Sequence, residues 1–222
     1  GAPFFLIGVG LLYMMTGTLN MADMATRIAP LQETRPIQAG FAFIVVGIAL
    51  KLALFPLHLW LPNAYTYAPS VVTAFLAATA TKVAIYVLLR FTFTIFGAEY
   101  AFDTQPLSLL LFVPALIAVF AGSIVAIFQE NAKRLLAYSS VAQIGYIVLG
   151  ISLATSDGLI SGLTHVFNHA LIKGTLFLAL GCVVYRIGSA RIERMAGIAA
   201  EMPLTMAAFV IGGLSLIGIP LS

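Results

Sequence analysis

The chain has 222 residues, 61% of them hydrophobic and 9% charged, with a mean hydropathy of +1.07. So few charges cannot build an aqueous surface, for which an ordinary soluble domain uses about one-quarter charged residues. The net charge of +3 forms no basic tract, which argues against a nucleic-acid partner, and the single cysteine, Cys182, lies in an apolar run where it can make no internal disulfide.

Seven apolar stretches, at 3–19, 37–55, 70–96, 106–128, 135–154, 159–185 and 203–222, each come close to the roughly 20 residues of a bilayer crossing. The pattern predicts an all-α polytopic membrane protein, with residues 1–222 forming a single transmembrane domain. The acids sit in the connections, at Asp23, Glu33, Glu99, Asp103, Glu130, Asp157, Glu193 and Glu201, and no stretch carries a carboxylate near its centre. If the second stretch is one broken crossing, Lys133, Arg134, Arg186, Arg191 and Arg194 share one side while Arg27, Arg35 and Arg90 share the other. The larger basic group is expected in the cytoplasm. The sequence starts at Gly1 without an initiator methionine and stops within the apolar GIPLS, which reads as a piece of a longer membrane protein.

In GIALKLALFPLHLWLP, Lys51 follows an apolar run and precedes Pro56. A lysine at membrane depth costs roughly 2.5–3.5 kcal/mol on insertion scales, so it is read as functional. Pro56 offers no amide hydrogen to the carbonyl of Leu52, and its ring pushes Phe55 out of helical geometry. The helix is therefore expected to break one turn after Lys51. Pro62 and Pro69 follow, with His58, Trp60, Asn63, Tyr65 and Tyr67 between them, so the segment 51–62 reads as a proline-broken helix with a re-entrant stretch. The competing reading is an interfacial loop anchored by Trp60, with Lys51 snorkelling to the headgroups.

Lys82 falls about halfway along TAFLAATATKVAIYVLLR, too deep for easy snorkelling. Ala77, Ala78 and Ala80 permit close helix packing there, and Thr79 and Thr81 offer hydroxyls. Arg90, two turns on, is read as an interface anchor.

In LTHVFNHALIKGTLFLALG, His165, His169 and Lys173 are spaced by four, with Asn168 at the border of their face. Each step advances a helix by about 40° and 6 Å, so the three form a slanted line about 12 Å long. Such a line can pass a proton through bridging waters, because imidazole both donates and accepts and a lysine out of water can cycle between charged and neutral forms. Zinc ligation fails for want of ligands: no glutamate follows the first histidine, no third ligand is evident, and Lys173 would repel the metal. The bland alternative is that the histidines only cross-link helices by hydrogen bonds.

The runs KLALFPLHLWLPNAYTYAPS, TKVAIYVLLR, ENAKRLLAYSSVAQIGY and HALIKGTLFLALG, in that order, resemble the antiporter-like subunits shared by respiratory complex I, membrane-bound hydrogenases and multisubunit Mrp cation/proton antiporters. The resemblance covers nearly the whole chain. It implies about fourteen helices with two inverted five-helix repeats, each containing one broken helix, and this chain would hold the end of the first repeat and most of the second. Lys51 then matches the lysine of the first broken helix, Lys82 that of the next helix, and His169 and Lys173 the conducting residues of a later one. The glutamate that pairs with Lys51 in the family would precede Gly1, and GGLSLIGIPLS would be the first half of the second broken helix.

The function expected from this resemblance is proton and cation translocation in a multisubunit Mrp-type Na+/H+ antiporter of the bacterial plasma membrane, along Lys51, Lys82, His165, His169 and Lys173, with Pro56 and Pro62 breaking the helix. Its partners would be other membrane subunits, H+, Na+ and the lipid bilayer. The alternative is the equivalent proton-pumping subunit of an NADH-quinone oxidoreductase or a hydrogenase. A scaffold that only braces its neighbours is the third reading. No cofactor or metal is expected, and nothing points to catalysis by the chain itself, since it shows no nucleophile with a base, no metal cluster and no nucleotide loop.

Overall fold

The computed structural model describes residues 1–219 as helices and short connections, with one isolated antiparallel bridge between Asn131 and Arg191. The helices are α1 (Ala2–Thr16), α2 (Met21–Ile28), α3 (Arg35–Leu52), α4 (Trp60–Tyr67), α5 (Ser70–Leu89), α6 (Leu107–Ile127), α7 (Ala132–Ser152), α8 (Ser156–Ile187), α9 (Ile198–Glu201) and α10 (Pro203–Ile217). Among the described residues five helices are long and apolar enough to cross a membrane, or six if α1 and the bent continuation Met21–Leu31 form one span. The expected stretch 203–222 is described only to Ile219, because Pro220, Leu221 and Ser222 lie outside the described residues.

The first stretch is shorter than expected because the chain turns at Gly17, whose φ of 70° closes α1 in the left-handed region, and bends by 65° into Met21–Leu31. Asn20 caps α2 by accepting from the amides of Ala22 and Asp23. The long eighth helix opens on Thr155, whose hydroxyl accepts from the amide of Gly158, and it runs three residues further at its start than the apolar stretch suggested.

The helices pack in a chain of neighbours: α1 on α3, α3 on α5, α5 on α8, α8 on α7 and α10, and α7 on α6, with α4 laid against α7. In hydrocarbon no hydrophobic effect drives helices together, so close backbone approach and packing do that work. At the α1–α3 seam a Cβ on Gly47 would stand 2.7 Å from the amide nitrogen of Phe5. Large apolar side chains such as Phe120, Ile124 and Ile127 of α6 face outward, as lipid contact requires.

Two ends can be assigned from the connections. At one end the Ala132 amide donates to Ala190 O at 2.8 Å and the Ile192 amide to Glu130 O at 3.0 Å, which ties the α6–α7 turn to the segment after α8. At the other, Arg27 Nη1 donates to Thr16 O and Gln32 Nε2 to Phe96 O, each at 3.0 Å. Lys133, Arg134 and Arg191 thus fall together, apart from Arg27, in the division read from the loops.

The break comes earlier than the proline alone suggested. α3 ends at Leu52, not at Phe55, because Ala53 takes φ 59° and Leu54 N donates back to Ala49 O at 3.1 Å, a terminating turn completed before Pro56 is reached. Trp60 Nε1 then donates to the Leu50 carbonyl at 2.8 Å, satisfying an acceptor that the break exposes.

Gly47→Val is expected to lower stability by about 1–3 kcal/mol through overpacking of the α1–α3 seam. Gly10→Ala, inside α1 where an added Cβ meets nothing within 4 Å, should leave it unchanged or slightly raised. Thermal unfolding in detergent checks both, and equal behaviour of the two variants would refute the seam.

Candidate functional site

The buried polar groups converge where α5, α7 and α8 meet. α8 presents His165, His169 and Lys173 toward its neighbours; His169 and Lys173 are both 0% exposed and His165 is half-buried. The rings of His165 and His169 lie nearly parallel, 6.1 Å apart at 9°, as a four-residue spacing on one helix face dictates. His165 Nε2 stands 2.6 Å from Gln143 Oε1, a bond in which the ring N–H donates and Nδ1 is left to accept. Lys173 Nζ donates to Leu136 O at 3.0 Å and to the Ser139 hydroxyl.

His169 sits between these groups, and neither of its ring nitrogens has a hydrogen-bond partner among the described residues. A buried polar atom without a partner costs about 1–3 kcal/mol, so this ring is held where it stands at the expense of stability. A cavity of about 770 Å³ opens onto the His165 end, lined by Gln143, Tyr146, His165, Asn168 and Ser215 among apolar neighbours.

On α5, Lys82 is 8% exposed and its Nζ donates to the Ala77 carbonyl of its own helix. α5 packs antiparallel on α8, with Ala78 Cβ 3.6 Å from where a Cβ on Gly174 would stand, so Lys82, one turn beyond Ala78, faces the part of α8 that carries His169. The sequence-derived set is therefore brought together in four of its five members.

Lys51 stands apart. It is exposed, it has no side-chain hydrogen bond or ion pair with the described residues, and it lines a cavity of about 750 Å³ with Ala2, Phe5, Trp60, Ala80, Ala84 and Val87. The α5 residues of that lining lie on one helix face, and Lys82 points about 150° round the helix from its centre. α5 therefore separates Lys51 from the buried cluster. In the break itself, His58 is buried, stacked on Phe55 at 5.2 Å and set edgewise to Tyr138 at 6.4 Å.

Sequence reasoning missed Ser139, Gln143 and Tyr146, which serve this site from α7. Their signal was present: at spacings of four and three they put a polar stripe on one face of an otherwise apolar helix.

Comparison with known proteins agrees with the resemblance. The profile of the NADH:quinone oxidoreductase/Mrp antiporter transmembrane family matches residues 1–222. An NADH-quinone oxidoreductase subunit of Desulforudis audaxviator is 48% identical over 99% of this chain and 43% of its own length. A Na(+)/H(+) antiporter subunit of Alkalihalophilus pseudofirmus is 35% identical over 97% of this chain and 43% of its own length. The solved Mrp complex from Dietzia sp. contains a chain that superposes with a TM-score of 0.88 at 32% identity, over 99% of this chain and 40% of that one. The chain belongs to the NADH:quinone oxidoreductase/Mrp antiporter family, and it spans less than half the length of the curated relatives it matches.

Because Lys173 is held by neutral acceptors, removing an acceptor and removing the lysine should act in opposite directions. Ser139→Val is expected to cost about 1–3 kcal/mol by stranding a buried donor. Lys173→Leu, which removes the donor together with its need, should leave stability unchanged or raised. Thermal unfolding of both variants in detergent decides, and a larger loss for Lys173→Leu would show that the lysine is a stabilising element.

Proposed function

We propose that the chain carries the proton-conducting part of a subunit of an Mrp-type cation/proton antiporter, embedded in a bacterial plasma membrane beside other membrane subunits. The observation that carries this reading is the buried series Lys82, His165, His169 and Lys173, which ends at a polar-lined cavity and contains no carboxylate. Structural likeness to a chain of the Mrp complex supports the assembly.

The work of the site is charge-coupled transport with no covalent chemistry. A carboxylate on a neighbouring helix would hold Lys51 protonated across the cavity it lines. Drawing that partner away from about 4 Å, at an effective dielectric near 20, changes the interaction by up to about 4 kcal/mol. That corresponds to about a thousandfold change in proton affinity. A proton released from Lys51 would pass to Lys82 and on along His169 and Lys173, with His165 joining the series to the cavity. Imidazole suits the intermediate places because its two nitrogens can accept on one side while donating on the other.

A second reading, the alternative from the sequence, is compatible with one finding. The 48% identity to an NADH-quinone oxidoreductase subunit fits the equivalent pump subunit of a redox-driven complex, where the same series would run with a different driving force. Both readings make the same demand on the lysines.

In the assembled complex, Lys51→Ala and Lys82→Ala are each expected to lower proton or sodium transport by at least about tenfold, the loss for one interaction worth about 1.4 kcal/mol. Transport measured in sealed vesicles tests this, and wild-type rates in both variants would end the proposal. Dependence of that transport on NADH and quinone separates the second reading from the first.

A further inference from the structure

One buried cation has no part in the conducting series. Lys133, the second residue of α7, is 7% exposed, and its Nζ donates to the carbonyl of Ala68 at 3.1 Å. Ala68 is the residue that closes α4, the short helix on the far side of the break, and Pro69 follows it. The last carbonyls of a helix have no amide partners within it, and they carry the negative end of its dipole, so an ammonium is the fitting donor.

Around this contact the break is fastened to α7 at several points. α4 packs against α7, and Tyr138 of α7 receives the edge of His58 from the break. The guanidinium of Arg134 covers the Tyr138 ring at 5.9 Å. The Thr73 hydroxyl of α5 donates to Tyr65 O at 3.0 Å, so the α4 end is also tied to the helix that carries Lys82. Further along α7, Leu136 O and the Ser139 hydroxyl hold Lys173. The first two turns of one helix therefore grip the broken helix at Lys133 and the buried lysine of α8 at Leu136 and Ser139.

We infer that Lys133 is a positioning residue, whose hydrogen bond to Ala68 O pins the far half of the broken helix to α7 and so sets the geometry of the break relative to Lys173. It acts by donating to a carbonyl, not by carrying a proton. This rests on the transport reading above.

The test uses the full-length protein in its assembled complex, with Lys133→Met, Lys133→Gln, Lys133→Arg and the reference variants Lys82→Ala and Lys51→Ala. Arginine and glutamine keep a donor, methionine does not, and arginine cannot relay a proton because it never loses one. Lys133→Met should reduce transport by about fivefold or more, as expected for a coupling residue outside the path. It should also speed hydrogen exchange of the 61–68 amides by about tenfold, with the amides of α6 unchanged. Lys133→Arg should keep transport within about twofold of wild type, and Lys133→Gln should fall between. If Lys133→Met does not assemble, retention of transport by both the Arg and Gln variants supports pinning, and its loss in both overturns it. Wild-type transport and exchange in Lys133→Met also overturn it. So does loss of transport in Lys133→Arg with exchange of 61–68 unchanged, which would place Lys133 in the proton path. Wild-type transport in both Lys82→Ala and Lys51→Ala would instead sink the transport reading, while the exchange measurement still decides whether Lys133 pins α4.

Discussion

An ammonium group inside a hydrocarbon-embedded bundle must find its acceptors within the protein, and here the acceptors are main-chain carbonyls. Lys82 donates to Ala77 O, Lys133 to Ala68 O, and Lys173 to Leu136 O with the Ser139 hydroxyl beside it. None of these donors meets a carboxylate; the ion pairs among the described residues, Asp23–Arg27 and Arg186–Glu201, involve arginines with largely exposed side chains. Carbonyl dipoles lower the cost of a buried charge without cancelling it, since the effective penalty is several kcal/mol per ion. A charge held this loosely responds to other charges nearby.

The broken helix follows from the same accounting. Cutting a helix at depth releases carbonyls that no lipid can satisfy. The chain answers locally with the Leu54 amide and the indole of Trp60, and at the far end of α4 with Lys133. The residues that tolerate the break are thus the ones that fix its shape. α7 is the frame for this arrangement: it is the most enclosed of the spanning helices, with 67% of its apolar stretch buried, and it reaches α4, α5, α6 and α8.

Much of this was legible in the sequence because depth and periodicity are local properties. Lys82 in the middle of an alanine-rich span, and His165, His169 and Lys173 at fourfold spacing, could be placed on buried faces without knowing their neighbours. The break near Pro56 was legible from the missing amide, but its position was not: the end of α3 at Leu52 depends on Ala53 adopting a left-handed conformation, for which alanine gives no signal. Gln143 and Ser139 were overlooked because a polar residue in an apolar helix gains meaning only from what faces it. Lys133 was read as a loop charge setting orientation, and its burial became visible only once α4 was docked on α7. A contact between residues 65 apart in sequence leaves no trace in either segment alone.

The placement of Lys51 bears on how charge could cross the molecule. Its cavity touches the Ala80, Ala84 and Val87 face of α5, and Lys82 leaves the same helix on nearly the opposite side. A straight transfer between the two ammonium groups would have to pass through a packed helix, which interiors at crystal-like density do not allow. Any transfer between them would have to go round α5, on the side where the chain breaks at 53–59. Main-chain groups there are already turned away from helical pairing, and His58 is buried among them between Phe55 and Tyr138. Trp60, at the start of α4, lines the cavity that Lys51 faces, so the docking of α4 on α7 also sets where part of that cavity's wall stands.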